Sequence, residues 1–204
     1  VWIANPNNPT GTFLPYPQLK AFLAAVPSDV VVVVDEAYNE YIPPPERVDI
    51  ADWLSEFPNL VITRTFSKIY GLAGLRIGYA MASAEVADLM NRVRQPFNCN
   101  NLAITAAAAA LDDEEFVARS YALNRAGMEQ IVAGLKRLGY SHIPSHGNFL
   151  AFNAGDAASL NQKLLKQGVI VRPIAGYGMP EWLRVTIGGE TENIRFLEAL
   201  EKAR

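Results

Sequence analysis

The sequence has one cysteine, two histidines and no long apolar run. A single thiol, Cys99, excludes an internal disulfide framework and suits a reducing compartment, so a cytoplasmic protein is expected. His142 and His146 have a spacing that metal ligands use, but Pro144 interrupts any helix that would align them. Cys99 is far off in the chain, and no metal site is expected. No stretch approaches the ~18 apolar residues that a membrane span requires. Basic residues are not in excess: 18 Lys and Arg against 21 Asp and Glu leave a net charge of −3. That offers no surface for a nucleic acid or another polyanion, and Arg92 and Arg94 read as a solvated helix face. The glycines of 71–78 lack the GxGxxG pattern, and no Walker lysine is present. There is no initial methionine and no lead-in. The opening residues Val1-Trp2-Ile3-Ala4 read as a strand already under way, so the chain is expected to be a fragment lacking an N-terminal part.

Half of the 204 residues are hydrophobic, enough for a substantial core in one large domain or two small ones. After the strand 1–4 comes a dense turn signal, Asn5-Pro6-Asn7-Asn8-Pro9-Thr10-Gly11. Pro17 opens a helix pattern with Leu19, Phe22, Leu23 and Val26 at helical spacing. The five valines 30–34 are apolar on both faces, as a strand inside a parallel sheet must be. Three prolines, 43–45, force an extended loop; a short helix at 50–54 and a strand at 60–63 follow. This order predicts βαβ units and a mostly parallel sheet. Further on, 77–81 reads as a strand, 84–93 as a helix, and 95–101 as a polar connector. The alanine-rich 102–111 reads as a closely packed helix, and 112–139 as a long helix linking to a second lobe. That lobe is smaller and α+β: strands at 149–152, 169–171 and 182–187, and helices at 156–167 and 190–203. The fold class is therefore α/β with a smaller C-terminal α+β lobe, and no internal repeat is visible.

Each of the first three strands ends in polar residues: Asn8 after the first, Asp35 after the second, Lys68 after the third. Ligands of open parallel sheets bind outside the carboxyl ends of the strands, so these groups are expected at one edge. A partly desolvated lysine is a nucleophile able to form a Schiff base. Beside Lys68 stand Thr65 and Ser67, with Arg76 eight positions on, and hydroxyls with a guanidinium are natural ligands for a phosphate dianion. Asp35 either caps a neighbouring helix or pairs with a protonated ring nitrogen. Tyr38 is either a core aromatic or a hydrogen-bond donor, and Asn8 either shapes its turn or donates to a ligand. In the small lobe, Arg172 and Arg184 either face solvent or clamp an anion.

Taken in order, Asn-Pro-Asn-Asn-Pro-Thr-Gly (5–11), Asp-Glu-Ala-Tyr (35–38), Ser-Lys (67–68) and Gly-Leu-Arg-Ile-Gly (74–78) resemble the fold-type-I pyridoxal-phosphate aminotransferases. Among these they resemble most the group acting on histidinol phosphate, and the likeness extends through Gly147-Asn148-Phe149 and 182–189. The resemblance implies pyridoxal 5'-phosphate as cofactor. Lys68 would form the Schiff base, Asp35 would partner the pyridine nitrogen, and Asn8 and Tyr38 would bond the phenolic oxygen. Thr65, Ser67 and Arg76 would hold the cofactor phosphate. Arg184 would bind the substrate anion, with Arg172 as a second anion contact. Residues 1–139 would be the large cofactor-binding domain, incomplete at its N-terminal side and including the linking helix, and 140–204 the small domain. The implied activity is amino transfer between histidinol phosphate and 2-oxoglutarate in histidine biosynthesis, by a homodimer when full length. The alternatives are an aromatic aminotransferase, a decarboxylase of amino-acid phosphates, and an aminotransferase-like effector domain of a transcription regulator. The resemblance also implies a cis Asn8-Pro9 bond.

Overall fold

The computed structural model describes all residues, 1–204, and separates them into two compact units. The first comprises Val1–Pro6 with Phe13–Ala118, and the second Asn7–Thr12 with Arg119–Arg204.

The first unit is built on a four-stranded sheet of order β1-β2-β3-β4: β1 Trp2–Ala4, β2 Val32–Asp35, β3 Leu60–Thr65 and β4 Gly78–Ala82. β1, β2 and β3 run parallel, and β4 returns antiparallel along β3. The crossover from β1 to β2 carries helix α1, Tyr16–Ala25, which begins one residue before Pro17. Its Tyr16, Leu19 and Leu23 pack on Val32 and Val34 of β2 and on Leu60 and Ile62 of β3. Side chains alternate between the faces of a strand, so these even-numbered residues share one face. Val33, Asp35, Val61, Thr63 and Thr65 share the other. The valine run is thus a buried strand, as expected, although pairing starts only at Val32. The segment 50–54 forms a 3-10 helix, Ile50–Ser55. Helices α2 (Ala84–Val93) and α3 (Asn101–Leu111) follow β4. The close packing expected of α3 is met at Ala103 and Ala107 alone.

The second unit is an antiparallel sheet of order β5-β6-β8-β7: β5 His142–Ile143, β6 Phe149–Asn153, β7 Arg172–Pro173 and β8 Trp182–Thr186. One face carries Leu150, Phe152, Leu183 and Val185, buried beneath three helices. These are α4 (Glu114–Arg137, through Met128, Ile131 and Leu135), α5 (Ala157–Lys166, through Leu160 and Leu164) and α6 (Glu190–Lys202, through Phe196, Leu197 and Leu200). α4 and α6 approach closely at Gly134, where a Cβ would lie 2.4 Å from a methyl of Leu197. Glu190 and Glu192 begin α6 and Lys202 ends it, complementing the helix dipole. The strand expected at 169–171 is absent. Val169 and Val171 turn into the core, but Ile170 is 84% exposed, and pairing begins one residue later at Arg172. Hydrophobicity alone had marked the run, whereas the ladder depends on register with β8.

Candidate active site

The carboxyl ends of β2 and β3 bring the lysine and its neighbours to one edge of the first sheet. The last register pair of these strands is Asp35 with Thr63. Asp35 Oδ1 accepts a hydrogen bond from Ala37 N at 3.1 Å, which fixes the carboxylate at the end of β2. The chain then turns through Tyr38, whose ring is 5% exposed. Lys68 Nζ lies 5.4 Å from the centroid of that ring, a cation–π contact that holds the lysine over Tyr38.

The hydroxyls and the guanidinium are also brought together. Thr65 Oγ1 accepts from Ser67 N at 3.1 Å. Arg76 Nη1 donates to Ala73 O at 2.8 Å and reaches Ser67 Oγ at 3.5 Å. Arg76 adopts a left-handed conformation, φ 55°, at the end of a 3-10 turn, Ala73–Leu75. Such a backbone costs of order 1–3 kcal/mol for a residue with a side chain, and it concentrates at ligand sites. Beneath the turn, Phe66 is buried, with its ring 5.1 Å from Tyr70 and 5.7 Å from Tyr79. The Gly71 N–H closes the turn on Lys68 O at 2.9 Å.

On the opposite face of the same sheet lies an ion cluster that sequence reading missed. Glu36 is 2% exposed and accepts from Arg64 Nε at 2.8 Å, with Arg64 Nη2 also 2.8 Å from the same oxygen. Arg64 Nη2 further donates to Asp49 Oδ1 at 2.7 Å. Burial pushes the Glu36 carboxyl up to about 7, against the opposing pull of Arg64. Burial likewise works against the charge on Arg64, yet the Glu36 and Asp49 carboxylates hold it more firmly protonated. The signal for this cluster was a charged residue in register with the apolar face of each strand, Arg64 within β3 and Glu36 just past the end of β2.

The other predicted residues belong to the second unit. Arg184 donates to Asn8 Oδ1, although 176 residues separate them, and its guanidinium lies 4.9 Å from the centroid of the Phe149 ring. Its Nε is buried without an acceptor. Arg172 is the register partner of Arg184 across β7 and β8, so both side chains leave the face of the sheet opposite the core. The Asn8-Pro9 bond is cis, as the resemblance implied, and so is Asn5-Pro6. The segment Asn7–Thr12 is seated by Gly11, φ 76°, where a Cβ would fall 2.1 Å from Ser145 Oγ. His146 N donates to Gly11 O at 2.9 Å. Cys99 is a free thiol, no group of three or more metal-ligating side chains exists, and no helix is long and apolar enough to cross a membrane.

A lysine in the turn after β3, held over Tyr38, with two hydroxyls and an arginine gathered in the same turn, is the kind of arrangement that a phosphorylated carbonyl cofactor uses. Residues 1–200 match the profile of aminotransferase class I and II, and the chain belongs to that family. It is 79% identical over 203 residues to histidinol-phosphate aminotransferase 1 of Dechloromonas aromatica (strain RCB), a match covering 100% of this chain and 56% of that protein. The chain thus spans about half the length of the curated relatives it matches. Among solved structures, histidinol-phosphate aminotransferase from Sinorhizobium meliloti, in complex with pyridoxal-5'-phosphate, superposes with a TM-score of 0.93 at 29% identity, over 100% of this chain and 56% of that one. L-threonine-O-3-phosphate decarboxylase from Porphyromonas gingivalis superposes with a TM-score of 0.86 at 28% identity, over 98% and 63%.

The residues fit pyridoxal phosphate on their own chemistry. Thr65, Ser67 and Arg76 offer hydroxyls and a cation to a phosphate, Lys68 offers an amine, and Asp35 offers a carboxylate fixed at a strand end.

Proposed function

We propose that the whole protein is a pyridoxal-phosphate aminotransferase that moves an amino group between histidinol phosphate and 2-oxoglutarate, in histidine biosynthesis. The observation that carries the reading is the geometry around Lys68: an amine held over Tyr38, next to the Thr65, Ser67 and Arg76 cradle. The substrate rests on the 79% identity to a protein of that name. In this reading residues 1–139 are the cofactor-binding domain and 140–204 the small domain. A homodimer in the cytoplasm completes it: the free Cys99 suits that compartment, and Val93, Phe97 and Leu102 give an assembly apolar surface to bury.

When bound, pyridoxal phosphate supplies an electrophilic carbon and a conjugated ring that takes up carbanion charge. Thr65, Ser67 and Arg76 bind the phosphate, and Asn8 and Tyr38 donate to the phenolic oxygen. Asp35 keeps a proton on the ring nitrogen. Lys68 would hold the cofactor through its Nζ, and the same Nζ, when free, would take a proton from the substrate carbon and return one, as general base and then acid. Arg184 and Arg172 bind the distal anion of the substrate. Like charges opposite one another across two strands destabilise a sheet, and a phosphate dianion offsets that repulsion better than a single carboxylate.

Borohydride reduction of the cofactor-loaded protein followed by peptide mass mapping is expected to tag Lys68; a tag on another lysine overturns the assignment. Histidinol phosphate is expected to be turned over far better than histidinol, and Arg172→Ala to narrow that preference. Carbon dioxide release from an amino-acid phosphate would instead make the protein a decarboxylase.

A further inference from the structure

Backbone pairing of β2 and β3 stops where the candidate cofactor ligands begin. Beyond the Asp35–Thr63 register pair, one more hydrogen bond joins the strands, Glu36 N to Thr63 O at 2.8 Å. Past that point the ladder no longer sets the distance between Asp35 and the 65–68 turn. The Glu36–Arg64 pair spans the two strand ends at this place. Glu36 follows Asp35 directly and Arg64 precedes Thr65 directly, and by the alternation of strand side chains both lie on the face away from Asp35 and Thr65.

We propose that Arg64 is a positioning residue, which with Glu36 and Asp49 ties the ends of β2 and β3 together and so holds Asp35 and Thr65 at the spacing the cofactor requires. The inference rests on the reading of the site given above. Three features carry it. First, the grip is a fork: Nε and Nη2 both close on Glu36 Oε2 at 2.8 Å, and Nη2 also reaches Asp49 Oδ1 at 2.7 Å. Such a grip fixes direction as well as distance, which a lysine ammonium cannot do. Second, Asp49 is itself anchored, since its Oδ1 accepts from Ala51 N at 3.2 Å at the start of the Ile50–Ser55 helix. Arg64 therefore joins three segments, not two. Third, both partners are withdrawn from water, with side-chain exposures of 12% for Arg64 and 2% for Glu36. A buried ion pair gains little net stability over an apolar pair, because desolvation offsets most of the attraction. What the pair contributes here is a defined geometry under the site.

The test is the affinity of the whole, cofactor-free protein for pyridoxal phosphate, titrated by visible absorbance in a mildly alkaline buffer. It is joined by the pH midpoint of that absorbance and by a thermal melt. Glu36→Gln and Arg64→Lys are expected to weaken binding about ten- to a hundredfold, the loss that follows when a site shifts by up to an ångström, and to displace the absorbance midpoint. Asp49→Asn, whose side chain is 61% exposed, leaves the interior intact and is expected to weaken binding severalfold. Lys20→Met breaks the Lys20–Glu56 pair, 2.7 Å apart in the same unit, and is expected to bind as the wild type does. Lower melting with wild-type affinity and midpoint overturns the inference, as does an equal loss in Lys20→Met. If Glu36→Gln and Arg64→Lys do not fold, wild-type affinity in Asp49→Asn overturns it. A wild-type protein that takes up no pyridoxal phosphate overturns the reading of the site, and this inference with it.

Discussion

Replacing Glu36 by glutamine should change the pH dependence of stability in one direction only. The folded carboxyl titrates at about 7, against an ordinary value of 4.5, because it is buried. A raised value means that the folded chain binds the proton more tightly than the unfolded chain does. The stabilisation is complete below about pH 4.5 and is lost as the pH rises through about 7. At about 1.4 kcal/mol per unit, the rise corresponds to about 3 kcal/mol, a large share of the stability of a typical domain. Glutamine keeps the volume and an acceptor for Arg64 but cannot titrate. The measurement is urea unfolding of both proteins in steps from about pH 5 to about pH 8. The stability of wild type minus that of Glu36→Gln should fall by most of those 3 kcal/mol across the window. Burial pushes the Asp49 carboxyl up, but hydrogen bonds from Arg64 and Ala51 N, with the charges of Arg64 and Arg47, together hold it below its ordinary value, so it titrates below the window and is common to both proteins. A flat difference, or one that rises with pH, would refute the reasoning: Arg64 would then outweigh burial and hold Glu36 as an anion throughout.

Asp35→Asn preserves the acceptor for Ala37 N but removes the carboxylate, so turnover should drop steeply while the melting temperature stays close to wild type; steady-state kinetics with a thermal melt decides this. Arg184→Lys loses both the bond to Asn8 and the stacking on Phe149, and KM for the anionic substrate should rise about ten- to a hundredfold, as one or two charge-assisted hydrogen bonds imply. Phe152→Ala empties a fully buried position under the second sheet and should cost about 3–5 kcal/mol in denaturant unfolding. Gly11→Ala forces a Cβ into Ser145 at a positive φ and should lower the melting temperature, with partial recovery in the double variant carrying Ser145→Gly.

Much of the fold was legible because its signals are local. A valine run apolar on both faces can only be an interior strand, and helical spacing of Leu19 and Leu23 marks the face that covers it. The same locality singled out Asp35, which closes β2, and Lys68, in the turn just past β3, because ligands of a parallel sheet bind outside the carboxyl ends of its strands. The run 169–171 misled for the complementary reason. Its apolar residues serve the core from an irregular segment, and strand status was decided by register with β8, far along the chain.

The sequence by itself therefore determined which strands form the first sheet and which reactive residue types follow their carboxyl ends, because residue type and short-range periodicity are properties of a few neighbouring positions. Tertiary structure alone decided the partners. Glu36 meets Arg64 across 28 residues through the β2–β3 register, Arg184 meets Asn8 across 176, and Arg172 stands opposite Arg184 because β7 pairs where it does. Pairings of this kind follow from how distant strands are aligned, and a shift of one residue in either sheet would turn these side chains to the other face.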